Sequence, residues 1–169
     1  MSERNHPDLT PDERTALLQF LQYYRDTLAV KVDGLTDAQA ANPACPPSIL
    51  TLTGLVRHMA EVERHWFRRS LRAEYAPPIF YSEARPDGDL DLVDPTTSLA
   101  DSIDAWQSEI VAADAILANA PDLDELATID RHGRRPNLRW ILVHMIEEYA
   151  RHAGHADLLR ERIDGATGD

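Results

Sequence analysis

The stretch Leu138-Arg139-Trp140-Ile141-Leu142-Val143-His144-Met145-Ile146-Glu147-Glu148-Tyr149-Ala150-Arg151-His152-Ala153-Gly154-His155-Ala156-Asp157 decides the fold. Leu138, Ile141, Met145, Tyr149, Ala156, Leu159 and Ile163 recur at three- and four-residue steps, the period of an amphipathic helix. Pro136 or Asn137 opens it and Gly165 closes it, which predicts a helix of nearly eight turns. On a wheel of about 100° per residue, His152 falls within roughly 20° of the apolar centre and Glu148 within about 60°. His144 and His155 fall at the edge of the stripe. The helix thus brings a carboxylate and imidazoles into the interior of the protein.

Three further segments carry the same period. In the first, Thr10-Pro11-Asp12-Glu13 reads as an N-cap, a first-turn proline and a capping box. Leu17, Phe20, Leu21, Tyr24 and Leu28 follow, with Gly34 just beyond. A proline-rich loop, residues 35–47, leads to a second helix that starts near Ser48 or Thr51. It carries Leu52, Leu55, Met59, Val62 and Trp66 and runs to about Arg72. A third helix begins at Ser98, with Asp101 three residues on, and carries Leu99, Ile103, Trp106, Ile110, Ala113 and Leu117 before Pro121. Four such helices without a repeat or low-complexity linker predict an all-α four-helix bundle, one domain over residues 1–169. The irregular stretch Tyr75 to Pro95 is long enough to be a functional or covering loop.

Composition supports this and removes several functions. The 169 residues are 43% hydrophobic, and 7 Gly against 11 Pro do not suit a barrel or sandwich of many tight turns. A net charge of -12 disfavours broad binding to a phosphate backbone, so no nucleic-acid partner is expected. No apolar run is long enough to span a bilayer. The N-terminal residues lack an apolar signal core, so a cytoplasmic location without membrane attachment is expected. The one cysteine, Cys45, excludes a thiolate-only zinc site and has no evident activating neighbour.

Glu148 and His152 sit four residues apart and so are neighbours on one face. They read either as a helix-surface pair worth about 0.2–0.5 kcal/mol or as two ligands of one metal ion. A buried carboxylate needs a compensating cation, and no basic residue lies on this inner stripe. On the second helix His58 lies about 80° from the apolar centre, with His65 a heptad later on the same side. Glu61, like Glu147, is expected to point away from the site. The basic run Arg131, Arg134, Arg135 reads as a solvated loop or as a binding patch for an acidic thiol or substrate.

The blocks Leu52-Thr53-Gly54-Leu55-Val56-Arg57-His58-Met59-Ala60-Glu61 and Leu138 to Asp157 resemble the DinB-like (DinB/YfiT) superfamily of four-helix-bundle metalloproteins. Ile79-Phe80-Tyr81-Ser82 and Pro86-Asp87-Gly88 add to the likeness, which is strongest to members near the mycothiol-dependent enzymes. Many members hold a metal with three histidines. The resemblance assigns the first to His58 and the last to His152, with Glu148 in the middle position, as in the mycothiol-dependent maleylpyruvate isomerase branch. It implies a metal triad of His58, Glu148 and His152, with His65, His144 and His155 behind it. The metal is zinc by default, with nickel or iron also suited to two imidazoles and a carboxylate.

The expected function is a metal-dependent thiol S-transferase or isomerase that uses a low-molecular-weight thiol on a small-molecule substrate. A metal-dependent hydrolase and a non-enzymatic, metal-stabilised stress-response bundle are the alternatives. A homodimer is in keeping with the family. A di-iron ferritin-like site fails for want of carboxylates from four helices.

Overall fold

The structure is a computed structural model that describes residues 4–91, 93–130 and 133–167. Asn137 caps the last helix as expected, its side chain accepting from the Trp140 amide, and Gly165 ends it in the left-handed conformation at φ 78°. This helix, α5 (Leu138–Asp164), buries Leu138, Ile141, Leu142, Met145, Tyr149, His152, Ala153, Ala156 and Leu159. α1 (Glu13–Val32) packs along it. α3 (Leu52–Glu63), capped by Thr51, packs against α4 (Leu99–Ala118), capped by Ser98. Contacts between α3 and α5 join the two pairs into a helical bundle. Among the described residues there is no strand, only the isolated bridges Ser82–Arg85 and Leu126–Asn137. No helix of the described residues is long and apolar enough to cross a membrane.

Several boundaries differ from expectation. The N-cap of α1 is Asp12, not Thr10. Asp12 accepts from the Thr15 amide at 3.1 Å, and the Thr15 hydroxyl donates back to its other oxygen at 2.6 Å, a pairing Thr10 cannot match. Phe20, placed on the apolar stripe by its spacing, is 44% exposed. The loop at 35–47 contains a single-turn helix, α2 (Asp37–Ala40), closed by a reciprocal capping box between Thr36 and Gln39. α4 ends at the Asn119 cap, ahead of Pro121.

The largest difference lies beyond α3. The second helix is not α-helical throughout: from Arg64 to Leu71 it widens into a π segment. There the backbone bonds reach five residues instead of four, so the 100° wheel no longer applies. The segment still buries Trp66, Phe67, Ser70 and Leu71, and just beyond its Arg72 cap Ala73 has a φ of 52°, in the left-handed region.

The interior holds a fully buried polar network among the large side chains. Arg25 on α1 donates twice to Glu63 on α3, through Nε and Nη2, both at 2.8 Å. Tyr149 donates to Glu63 at 2.7 Å and accepts from the Trp106 indole at 2.8 Å. One residue from each of the four long helices is therefore tied into one chain of bonds. Burial works against the charge of Arg25, but Glu63, then Tyr149 and Asp114, raise its pKa above the ordinary value. Burial, then the charge of Glu63, raises Tyr149 well above its usual range, so the phenol stays neutral.

Candidate metal centre

His58 and His152 face each other across the α3–α5 contact, their ring centroids 4.9 Å apart. Glu148 lies one turn before His152 on α5. One donor atom from each of His58, Glu148 and His152 lies within 4.8 Å of the others. The Nε2 of His152 stands 3.5 Å from a Glu148 oxygen. That spacing is at the outer limit for a hydrogen bond. It is close to the separation of about 3.3 Å that two ligands keep around a tetrahedral ion with bonds of about 2.0–2.1 Å. The donor set of two imidazoles and one carboxylate fits a divalent metal.

The electrostatics favour the same use. Burial, then the neighbouring His58, His155 and Arg151, push the His152 pKa down to about 4. At neutral pH the ring is uncharged and keeps a lone pair for a ligand. Its other nitrogen, Nδ1, lies 3.3 Å from Nδ1 of His155, a residue expected behind the triad. Glu148 divides its oxygens: one faces His152, the other stands 3.6 Å from Nε2 of His144. His144 stacks on Trp140, with centroids 5.0 Å apart and planes 17° apart, and meets Trp66 edge-on at 4.8 Å. His144, Glu147 and Glu148 form a second donor group of metal-holding spacing. Arg151 already pairs with Glu147 in that group.

His65 does not join the site. It is exposed, its ring edge-on to Trp66 at 5.0 Å. The π segment breaks the heptad relation that placed it beneath His58.

Sequence reasoning missed Asp89. Its Oδ2 lies 2.7 Å from Nδ1 of His58, with the Asp89 side chain 10% exposed. Burial opposes the Asp89 charge, but the His58 contact prevails and holds its carboxyl below the ordinary range. With Nδ1 engaged, Nε2 is the nitrogen His58 has left to offer. Asp89 is one of four aspartates between Asp87 and Asp94. Only its position in an acidic covering loop after a histidine-bearing helix signalled a role.

Glu61, expected to point away from the site, is nonetheless buried. It is 4% exposed, because the stretch from Tyr75 onward folds over it. Its Oε1 accepts from the amides of Ile79 at 2.5 Å and Phe80 at 2.7 Å. Glu147 does face solvent, paired with Arg151. In the basic run, Arg135 donates to the backbone carbonyls of Ala127 and Leu126, which ties it to its own loop. Arg134 is exposed, and Arg131 lies outside the described residues. Cys45 is half-buried, its Sγ 3.7 Å from the Leu158 carbonyl.

No curated protein matches the chain significantly. A crystal structure of a conserved protein from Enterococcus faecalis superposes with a TM-score of 0.61, covering 93% of this chain and 100% of that one at 16% identity. That likeness extends to the fold. The profile of the mycothiol-S-transferases matches residues 16–165 and so takes in both halves of the candidate centre. With nearly the whole bundle matched, the chain belongs to the mycothiol-S-transferase family, of the DinB/YfiT-like type.

Proposed function

We propose that the chain is a metal-dependent thiol S-transferase in which His58, Glu148 and His152 hold the metal, zinc by default, and a low-molecular-weight thiol of the mycothiol type supplies the sulfur. The observation that carries this reading is the convergence of two imidazoles and one carboxylate, from two different helices, within 4.8 Å. A divalent ion held by these three residues would supply the positive charge that lets a neighbouring thiol ionise near neutral pH. The remaining work falls to the chain. Asp89 accepts from Nδ1 of His58 and so fixes that ring's tautomer and orientation. Glu148 brings the only formal charge among the three ligands, so the occupied site keeps one net positive charge for an anionic sulfur. Burial keeps His152 neutral and dry. The half-buried Cys45 sits in its own loop against α5 and takes no part, which leaves the sulfur to the cosubstrate.

Metal analysis after reconstitution with zinc, on the wild type and on His152→Ala and Glu148→Gln, tests the ligand set. One equivalent in the wild type and a marked loss in both variants is the expected result; equal contents would refute it. Incubation of the loaded protein with an electrophile and mycothiol, bacillithiol or glutathione then tests the reaction. Conjugation that needs both the thiol and the intact triad supports the transferase. Turnover of an ester or amide without added thiol would replace it with a hydrolase.

A further inference from the structure

We infer that the segment 75–91 carries a positioning residue for the metal centre, so that closure of this segment and metal binding are thermodynamically coupled through the contact between Asp89 and His58. The inference rests on the reading of His58 as a ligand. The anchors that place Asp89 come from the helix that bears His58. Glu61, one turn after His58, holds the amides of Ile79 and Phe80. Arg64 donates to the Pro77 carbonyl at 2.8 Å, and Arg69 to the Ala76 carbonyl and to the Tyr81 hydroxyl, the latter at 2.6 Å. The Arg57 guanidinium lies over the Phe80 ring at 4.7 Å. Farther along, the two limbs of the segment close on each other at Gly88. A Cβ there would lie 2.6 Å from the Phe80 carbonyl oxygen and 3.1 Å from that of Arg85. The next residue is Asp89, whose backbone passes close over Gly54 of α3. The hydrogen bonds on Glu61 and the close approach at Gly88 thus set where the Asp89 carboxylate meets the His58 ring.

Ala76 is buried and Phe80 and Leu90 pack against the core, but most other apolar side chains of the segment are exposed. Tyr75 is 93% exposed and Ile79 40%. A stretch with few buried apolar side chains, retained largely by polar contacts to one helix, opens at a lower free energy than the bundle unfolds. When it opens, His58 loses the acceptor at Nδ1, and with it the fixed ring orientation. Loss of such a partner typically costs about 10–100-fold in metal affinity. Coupling between binding events is reciprocal, so zinc at the triad favours the closed segment by the same factor. Glu61 touches no ligand, yet its removal reaches the metal through this path.

The experiment compares wild type, Asp89→Asn, Asp89→Ala and Glu61→Ala. Zinc affinity is read by competition with a chromophoric chelator, His58 ligation by the visible spectrum of the cobalt(II) form, and closure by hydrogen exchange at the Ile79 and Phe80 amides. Asp89→Ala and Glu61→Ala should each weaken zinc binding about 10–100-fold. Asp89→Asn, whose amide oxygen still accepts from Nδ1, should fall between wild type and Asp89→Ala and should shift the cobalt spectrum. Zinc should slow exchange at Ile79 and Phe80 in the wild type, and less in Asp89→Ala. The coupling is overturned if wild type and Asp89→Ala bind zinc equally, or if zinc leaves exchange at those amides unchanged. Should Glu61→Ala fail to fold, the two Asp89 variants decide alone. A wild type that binds no zinc would bring down the ligand reading itself, and this inference with it.

Discussion

Replacing Glu63 with leucine should destabilise the protein by about 4 kcal/mol, mostly through the charge it leaves behind. Glu63 is fully buried and accepts two bonds from Arg25 and one from Tyr149. Breaking a buried pair by removing one partner costs about 3–5 kcal/mol, since the other charge stays desolvated. Arg25, 3% exposed, would keep its 2.8 Å contact with Asp114, whose own side chain is 54% exposed. That residual partner puts the cost near the lower end, about 3 kcal/mol. The Tyr149 hydroxyl loses its acceptor but keeps the Trp106 donor, which adds about 1 kcal/mol. At about 2–4 °C per kcal/mol for a chain of this size, Tm should fall by about 8–16 °C. Urea titration followed by circular dichroism measures the change directly. Arg25→Met in the Glu63→Leu background should recover much of the loss, because no charge then remains buried without its partner. A Glu63→Leu protein within about 1 kcal/mol of wild type would refute this account. So would a double variant whose cost equals the sum of the two single ones.

Other outcomes follow from the same structure. In the metal-free protein the folded pKa of His152, about 4, lies below the ordinary histidine value of 6.5. The folded state refuses a proton that the unfolded chain accepts, so this residue's contribution is intact above pH 6.5 and is lost as pH falls toward about 4. An NMR titration should show the His152 ring still neutral at pH 5.5, and a midpoint near 6.5 would contradict it. Ala73→Gly should stabilise the protein slightly. Glycine relieves a left-handed strain of about 1–2 kcal/mol at φ 52°, at an entropic cost of about 0.5–1 kcal/mol. A lower Tm would mean the strain is not there. Cys45→Ser should leave thiol conjugation at the wild-type rate; loss of activity would relocate the nucleophile to this loop.

The pairing of Glu148 with His152 could be read from the chain because α5 is locally self-consistent, whereas His58 on α3 was joined to them by the family resemblance. The α5 cap, its glycine stop and the four-residue spacing of Glu148 and His152 all speak within one helix. What escaped was tertiary in origin. A helical wheel describes the face a helix turns to other helices, and Glu61 is buried by a loop instead. Asp89 looks like its three aspartate neighbours until the close approach at Gly88 selects it. Arg25 and Glu63 are 38 positions apart, and neither carries a local sign of its partner. At the start of α1 two acceptors, Thr10 and Asp12, compete for the cap, and the hydroxyl of Thr15 decides between them.

The π segment separates two groups of side chains along one helix. Before it, His58 and Glu61 address the candidate metal centre and its covering segment. Within and after it, Arg64 and Arg69 hold the start of that segment, Arg64 and Arg68 also reach Glu109 on α4, and Arg72 reaches Glu125. A wider turn takes up about one more residue than an α turn for the same course of backbone. The phase between the two groups is therefore stored in the number of residues, not in their identity. A relative whose helix is regular here would need a gap of about one position between the counterparts of His58 and Leu71. Without that gap every arginine after Arg64 would be matched to the wrong neighbour. Deleting a single residue from this stretch would let it close to a regular α-helix with the second group still facing its partners, whereas adding one would turn that group away.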